Sequence, residues 1–152
     1  MSAAIELKPE LCNCLALRQA ARHVTQLYDN HLVRAGLRTT QFSILAKVKL
    51  LGPLTINALA DRMVMDRTTL GRNIKPLERE GLLAVKPGAD DRRRKELHLT
   101  AAGAARLRSA IKAWAEAQEQ FEAAFGPDRA ARMRAMLRDV TASELGASAP
   151  AG

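Results

Sequence analysis

Apolar residues recur at helical spacing in the first quarter of the chain. From Cys14 to Leu32 they fall at steps of three and four residues, which is the period of one helix face. Gly36 follows as a typical helix stop. The pattern predicts one amphipathic helix over residues 9–35.

Five further helices are predicted from the same spacing and from the residues at their ends. Ser, Thr and Asp favour the first position before a helix, and glycine and proline favour the end. A Gly-Pro pair at 126–127 separates the last two helices. The predicted capping residues are Thr39, Thr55, Asp66 and Thr100, for helices over about residues 40–52, 56–63, 67–80 and 101–125, and a last helix starts near residue 128.

The pattern changes to that of strands between the predicted helices over residues 67–80 and 101–125. Residues 82–85 form a short apolar run, and residues 96–99 alternate polar and apolar positions. Residues 87–91 between them carry proline, glycine and aspartate, which is turn chemistry. These segments predict a β-hairpin directly after a helix.

Two short helices joined by a tight turn near residues 64–65 and followed by a hairpin describe a winged helix-turn-helix. The predicted fold is therefore mainly α with a small β-hairpin wing, an α+β arrangement. In such a unit the second helix enters the major groove of DNA. Leu70, Ile74 and Leu77 on that helix are predicted core residues by their spacing.

The remaining side chains of the second helix suit DNA contact. Arg72 can bind guanine through two hydrogen bonds, and Asn73 can bind adenine in the same way. Gly71 either allows close approach to DNA or has no role. Cations at the hairpin tip suit phosphates or the minor groove. The residues predicted here to contact DNA are Arg67, Thr68, Thr69, Arg72, Asn73, Lys75, Arg92, Arg93 and Arg94.

Composition narrows the function classes. The 152 residues carry a net charge of +8, which favours a polyanionic partner, and 47% are hydrophobic, enough for a core. The three histidines lie in different predicted elements, and no catalytic or metal-binding constellation is present, so we expect neither an enzyme nor a cofactor. With no apolar span or leader segment in the sequence, we expect a cytoplasmic protein without membrane contact.

Several segments together resemble the MarR family of bacterial transcription regulators. They are, in chain order, Leu59-Ala60-Asp61-Arg62, Asp66-Arg67-Thr68-Thr69-Leu70, Leu77-Glu78-Arg79-Glu80-Gly81-Leu82-Leu83, Asp91-Arg92-Arg93 and Leu97-His98-Leu99-Thr100-Ala101-Ala102-Gly103. The resemblance covers about residues 10–142. It adds Asp91 to the DNA-contacting residues, as the acid that orients Arg93 in the wing.

The resemblance also implies a homodimer that binds a pseudo-palindromic operator, usually as a repressor. The resemblance divides the chain into four parts. They are an N-terminal dimerisation helix over 9–35, the DNA-binding unit over 37–100, dimerisation helices over 101–142 and a disordered tail over 143–152. The apolar positions of the flanking helices, several at coiled-coil-like spacing, are the expected dimer seam. They are Leu17, Leu107, Ile111, Trp114, Phe121, Phe125, Met133 and Leu137.

The signal that such a regulator would sense has several candidates. A small, aromatic organic effector could bind among His23, Tyr28, His31 and Phe42, which combine polar tips with aromatic surface. Alternatively, Cys12 and Cys14 near a helix start could sense oxidants, although Cys14 falls on the apolar stripe, where thiols are usually inert. A third alternative is a constitutive architectural DNA-binding protein without an effector.

Overall fold

Among residues 4–145, six α-helices and one small antiparallel sheet build the fold. The computed structural model describes residues 4–145, so the predicted tail beyond residue 145 lies outside the described residues. The mainly helical class with a hairpin wing is confirmed. The helices are α1 (Asn13–Leu32), α2 (Thr39–Leu51), α3 (Ile56–Met63), α4 (Arg67–Arg79), α5 (Ala101–Phe125) and α6 (Pro127–Ala142), and the strands are β1 (Leu54–Thr55), β2 (Leu83–Pro87) and β3 (Lys95–Leu99).

Helix α1 is shorter than the predicted span of residues 9–35. Its flanks, Pro9–Leu11 and Val33–Ala35, are single 3₁₀ turns. The break before α1 is at Cys12, whose backbone is extended and whose Sγ accepts a hydrogen bond from Leu15 N at 3.4 Å. Cys12 is thus the N-cap of α1 and lies outside the helix.

The start of α2 differs from the prediction in its capping residue. Arg38, not Thr39, is the N-cap, and the Gln41 side chain accepts a hydrogen bond from Arg38 N at 3.0 Å. Thr39 donates instead from both its backbone N and its hydroxyl to Asp29 Oδ1, each at 2.7 Å. Thr39 therefore connects α2 to the end of α1, a long-range role that local spacing does not reveal.

Helices α3 and α4 form the predicted helix-turn-helix, and both predicted caps are confirmed. Thr55 accepts a hydrogen bond from Ala58 N at 3.1 Å, and Asp66 accepts one from Thr69 N at 2.8 Å. Between the helices Val64 adopts a left-handed conformation with φ 51°. A β-branched residue is strained there, because its Cβ crowds the following carbonyl.

We expect Val64→Asn to raise the free energy of unfolding by about 1 kcal/mol, because asparagine tolerates the left-handed region. The Val64 side chain is 71% exposed, so little packing is lost. Val33→Asn is a matched control, since Val33 is 66% exposed but has φ −56°. Chemical denaturation of both variants tests this; equal effects at the two positions would contradict strain at Val64.

The sheet has the order β1-β3-β2, with β3 in the centre. Strand β2 pairs with β3 through Val85 opposite Leu97, and β1 pairs with the other edge of β3 through Leu54 opposite Leu97. The hairpin agrees with the prediction, whereas β1 is an addition to it, because two residues are too few to show a period. Strand β1 places the start of α3 beside the wing.

The core gathers around the helix-turn-helix and extends onto α5. Leu70, Ile74 and Leu77 are buried as predicted. Leu107 departs from the predicted dimer seam, because it is only 4% exposed within one subunit and packs in this core. It has almost no surface left to offer a partner.

Helix α5 begins in close contact with the end of the helix-turn-helix. The Thr100 hydroxyl accepts a hydrogen bond from Gly103 N at 2.9 Å and donates one to Gly81 O at 2.6 Å, which confirms Thr100 as the cap. A Cβ on Gly103 would lie 2.0 Å from Leu82 O. Helix α5 and the residue just before β2 therefore meet backbone against backbone at this glycine.

The outer helices bury very little within one subunit. In α1 only Leu32 is buried, and in α6 only Ala130 is buried. Apolar side chains on both helices remain exposed, among them Leu17 at 43% and Leu137 at 38%. No helix among residues 4–145 is long and apolar enough to cross a membrane.

Candidate nucleic-acid interface

The first turn of α4 is fixed by a reciprocal pair, Asp66 and Thr69. Besides capping Thr69 N, Asp66 accepts a hydrogen bond from the Thr69 hydroxyl at 2.6 Å. The Thr69 hydroxyl and the backbone amides of the first turn lower the pKa of Asp66, because they favour the carboxylate. The Thr69 hydroxyl, predicted to contact DNA, is thus occupied in holding the helix start.

The face of α4 opposite the core is polar and exposed. With about 100° between successive residues, Thr68, Arg72 and Lys75 lie about 140–160° around the helix from Leu70. All three are exposed. Among the described residues neither Arg72 nor Lys75 has an ion-pair partner, so both cations are available to a polyanion.

Asn73 lies apart from this exposed face. It is half-buried, and its Nδ2 donates a hydrogen bond to Thr69 O at 2.8 Å. An adenine contact through this amide would have to replace that internal bond. Asn73 therefore does not belong to the exposed face of α4 that Thr68, Arg72 and Lys75 form.

The tip of the wing is ordered by Asp91. Its Oδ1 accepts a hydrogen bond from Arg93 N at 3.0 Å, and its backbone O accepts one from Arg94 N at 3.1 Å. Gly88 N closes the turn on Arg94 O at 2.6 Å. Asp91 thus acts on the backbone that carries Arg93, since no ion pair joins their side chains in the described part of the chain.

Cations from α4 and the wing converge on one cleft, which we call the cationic cleft. It has a volume of about 570 Å³, and no carboxylate is among its lining residues. The first residues of α3 and α4, Ile56 and Arg67, are among those that line it. It is lined by Thr55, Ile56, Asn57, Arg67, Arg93, Arg94 and Lys95.

Sequence reasoning missed three polar members of this cleft. Lys95 directly follows Arg92, Arg93 and Arg94, so its place in this run of cations is the sequence feature that predicts it. Thr55 and Asn57 offered no such signal, because only β1 pairing brings the start of α3 to the wing. Arg92 is exposed at the tip but does not line the cleft.

The four predicted effector residues do not form one site. The Tyr28 hydroxyl donates to Gln118 Oε1, and burial raises the pKa of Tyr28, with the charge of Glu122 adding to the effect. His31 Nε2 lies 2.9 Å from Gln120 Oε1, at the edge of the ion pair between Arg34 and Glu116. The hydrogen bond from Arg34 lowers the pKa of Glu116.

His23 and Phe42 line two different cavities. Phe42 stacks on Trp114 with ring centres 6.1 Å apart, and both line an apolar cavity of about 410 Å³ between α2 and α5. Ile111, predicted as a seam residue, lies in the same cavity. His23 lines a separate groove of about 490 Å³ between α1 and the end of α5.

The other predicted seam and redox residues lie on accessible surface in one subunit. Phe121 and Phe125 pack together with ring centres 5.4 Å apart and are half-buried, as is Met133. Cys12 and Cys14 are both exposed free thiols, so Cys14 is not covered by its own subunit.

Comparison with known proteins agrees with this geometry. The model of the MarR family matches residues 37–95. An uncharacterised HTH-type transcriptional regulator of Bacillus cereus is 30% identical over 107 residues, which are 70% of this chain and 71% of that protein. The chain is also 38% identical to the M. tuberculosis transcriptional regulator MosR, covering 86% of this chain and 96% of MosR with a TM-score of 0.74.

Solved complexes with DNA are among the similar structures. MosR in complex with DNA is 39% identical and covers 86% of this chain and 93% of that chain, with a TM-score of 0.75. The repressor CouR bound to a 23-mer DNA duplex is 26% identical and covers 90% of this chain and 99% of that one, with a TM-score of 0.78. The protein described here belongs to the MarR family of DNA-binding transcriptional regulators.

Proposed function

We propose that the protein is a homodimeric repressor that binds a pseudo-palindromic operator and releases it when a small aromatic acid binds. The observation that carries the DNA part of this proposal is the cationic cleft beside the exposed face of α4. The cleft offers positive charge, which suits contacts with DNA phosphates and not the recognition of particular bases. The face of α4 offers Thr68, Arg72 and Lys75 to base edges in the major groove.

The dimer is supported by the outer helices. A 20-residue helix and a 16-residue helix that each bury one residue leave their apolar faces uncovered in a single subunit. Exposed apolar side chains spread along two helices in this way are typical of a protein interface. A second copy of the chain would cover both faces and would place two α4 helices on successive major grooves.

We expect Leu137→Glu to convert the dimer to monomers, because a buried, unpaired carboxylate at the interface is strongly unfavourable. Leu51→Glu is a matched control: Leu51 is also an exposed leucine, at 40%, but lies at the end of α2 and on neither outer helix. Light scattering after gel filtration should give 16.6 kDa for Leu137→Glu and twice that mass for the control. A dimeric Leu137→Glu that binds operator normally would contradict the assignment of α6 to the interface.

The α2–α5 cavity is the proposed effector site. Its accessible lining is mostly apolar, with the stacked rings of Phe42 and Trp114. Two exposed cations, Lys47 and Lys49, are also among its lining residues. Flat apolar walls and nearby cations suit an aromatic carboxylate. Among proteins of the same fold, CouR has been solved with p-coumaroyl-CoA and PcaV with its natural ligand.

Selection of bound duplexes from a random DNA pool tests the proposed function. We expect an inverted repeat with half-sites about 10–10.5 bp apart. Repeating the selection with benzoate-type acids, and separately with peroxide, distinguishes the signals. Release by the acids supports the effector site, and no release by any addition would indicate a constitutive DNA-binding protein. If no sequence is enriched, the proposal that the protein binds a specific operator is wrong.

Thiol sensing is the second candidate, favoured by the exposure of Cys12 and Cys14. Cys12 stands outside α1 as its cap, so the helix does not fix the separation of the two thiols. Two thiols and one peroxide would give one disulfide and two waters. Release by peroxide that is lost in Cys12→Ser and Cys14→Ser would favour this mechanism over the aromatic acid.

A further inference from the structure

Two glycines lie inside helices among the described residues, and the structure explains only one of them. Gly103 has no room for a Cβ, because Leu82 O would lie 2.0 Å from it. At Gly71, in the middle of α4, a Cβ would meet no atom within 4 Å. Gly71 also does not have a positive φ, so its backbone conformation is open to any residue.

Within the protein itself, glycine is therefore a poor choice at position 71. Apart from proline, it is the residue least favourable to a helix interior, and alanine would fit without moving any neighbour. Nothing within the subunit requires a bare backbone at this position. The surroundings of Gly71 indicate a reason that lies outside the subunit.

Gly71 is surrounded by the residues of the candidate DNA interface. It stands one helical turn after Arg67 and Thr68 and one turn before Lys75. Arg67 lines the cationic cleft, and Thr68 and Lys75 belong to the exposed face of α4. The missing side chain therefore leaves a notch between the cleft and the face that would read bases.

We propose that Gly71 sets the depth at which α4 seats in the major groove, by letting DNA approach the helix backbone where any side chain would hold it away. This inference rests on the proposed function. Gly71 is a positioning residue: it acts by allowing Arg72 and its neighbours to reach base edges. Phosphate contacts in the cationic cleft tolerate a small displacement better than base contacts, because charge attraction is less directional.

The test compares Gly71→Ala and Gly71→Leu with the unmodified protein on its selected operator and on a random duplex. We expect operator affinity to fall about tenfold for alanine, the usual effect of removing one pair of hydrogen bonds to a base, and further for leucine. Affinity for the random duplex should stay within about twofold, since phosphate contacts persist. Thermal unfolding should shift upward for both variants, because each side chain favours a helix more than glycine does.

The outcomes separate this inference from the proposed function. If the unmodified protein selects an operator and Gly71→Ala binds it with unchanged affinity, Gly71 does not set how deeply α4 seats in the groove. The proposed function is unaffected by that result. An equal loss on operator and random duplex would also overturn it, since it would indicate a general steric block. If the unmodified protein selects no sequence, the proposed function itself fails.

Discussion

Replacing Arg93, Arg94 and Lys95 together with alanine is expected to lower operator affinity by about 10³-fold at physiological salt, because each phosphate contact contributes through release of counterions. The three cations line the cationic cleft and have no ion-pair partner among the described residues. In the proposed dimer the variant removes these three cations from both subunits. The slope of log affinity against log salt should flatten by about 0.9 for each phosphate that is no longer neutralised.

Arg92→Ala is the matched control for this variant. Arg92 belongs to the same cation run and is exposed, but it does not line the cleft. We expect its effect on affinity to stay within about threefold, as for a peripheral charge. Fluorescence anisotropy across a salt series measures both variants. If the slope of log affinity against log salt is unchanged in the triple variant, the wing does not contact DNA phosphates.

Gly103→Ala is expected to destabilise the fold by about 3 kcal/mol, since overpacking against a backbone atom has no flexible side chain to absorb it. The added Cβ would lie 2.0 Å from Leu82 O and 2.8 Å from Leu99 Cδ1. To relieve this, α5 would have to move away from the start of β2. The shift would also disturb the Thr100 cap, which joins α5 to Gly81 O.

The same substitution at Gly71 is the natural comparison, because it should change stability in the opposite direction. Both positions lie inside helices, so the helix propensity of alanine contributes equally at each. Urea denaturation of the two variants measures the difference. A Gly103→Ala protein as stable as the unmodified chain would contradict the close helix–strand contact.

Features set by neighbouring residues are predictable from the sequence. Thr55, Asp66 and Thr100 cap their helices because the side chain and the amide it binds are three residues apart. Burial of Leu70 and Ile74 follows from spacing alone. The MarR resemblance rests on such local segments, and the family model and the similar structures confirm it.

Features set by long-range contacts are not predictable in this way. Thr39 stands where a cap is expected, but it binds Asp29, ten residues earlier. Leu107 shares the spacing of the seam, yet the core of its own subunit covers it. Asn57 joins the cationic cleft only because β1 pairs with β3. The predicted effector residues share an aromatic or polar character but not a location.

The sparse burial in α1 and α6 would make the stability of the proposed dimer depend on protein concentration. If most of the stabilisation of these helices comes from a second copy, unfolding and dissociation are one equilibrium. The melting temperature then rises with protein concentration, and dilution weakens the fold as heat does. A cell that makes few copies would then hold a less heat-resistant regulator, so expression level and growth temperature would together set how much folded protein is available to bind DNA.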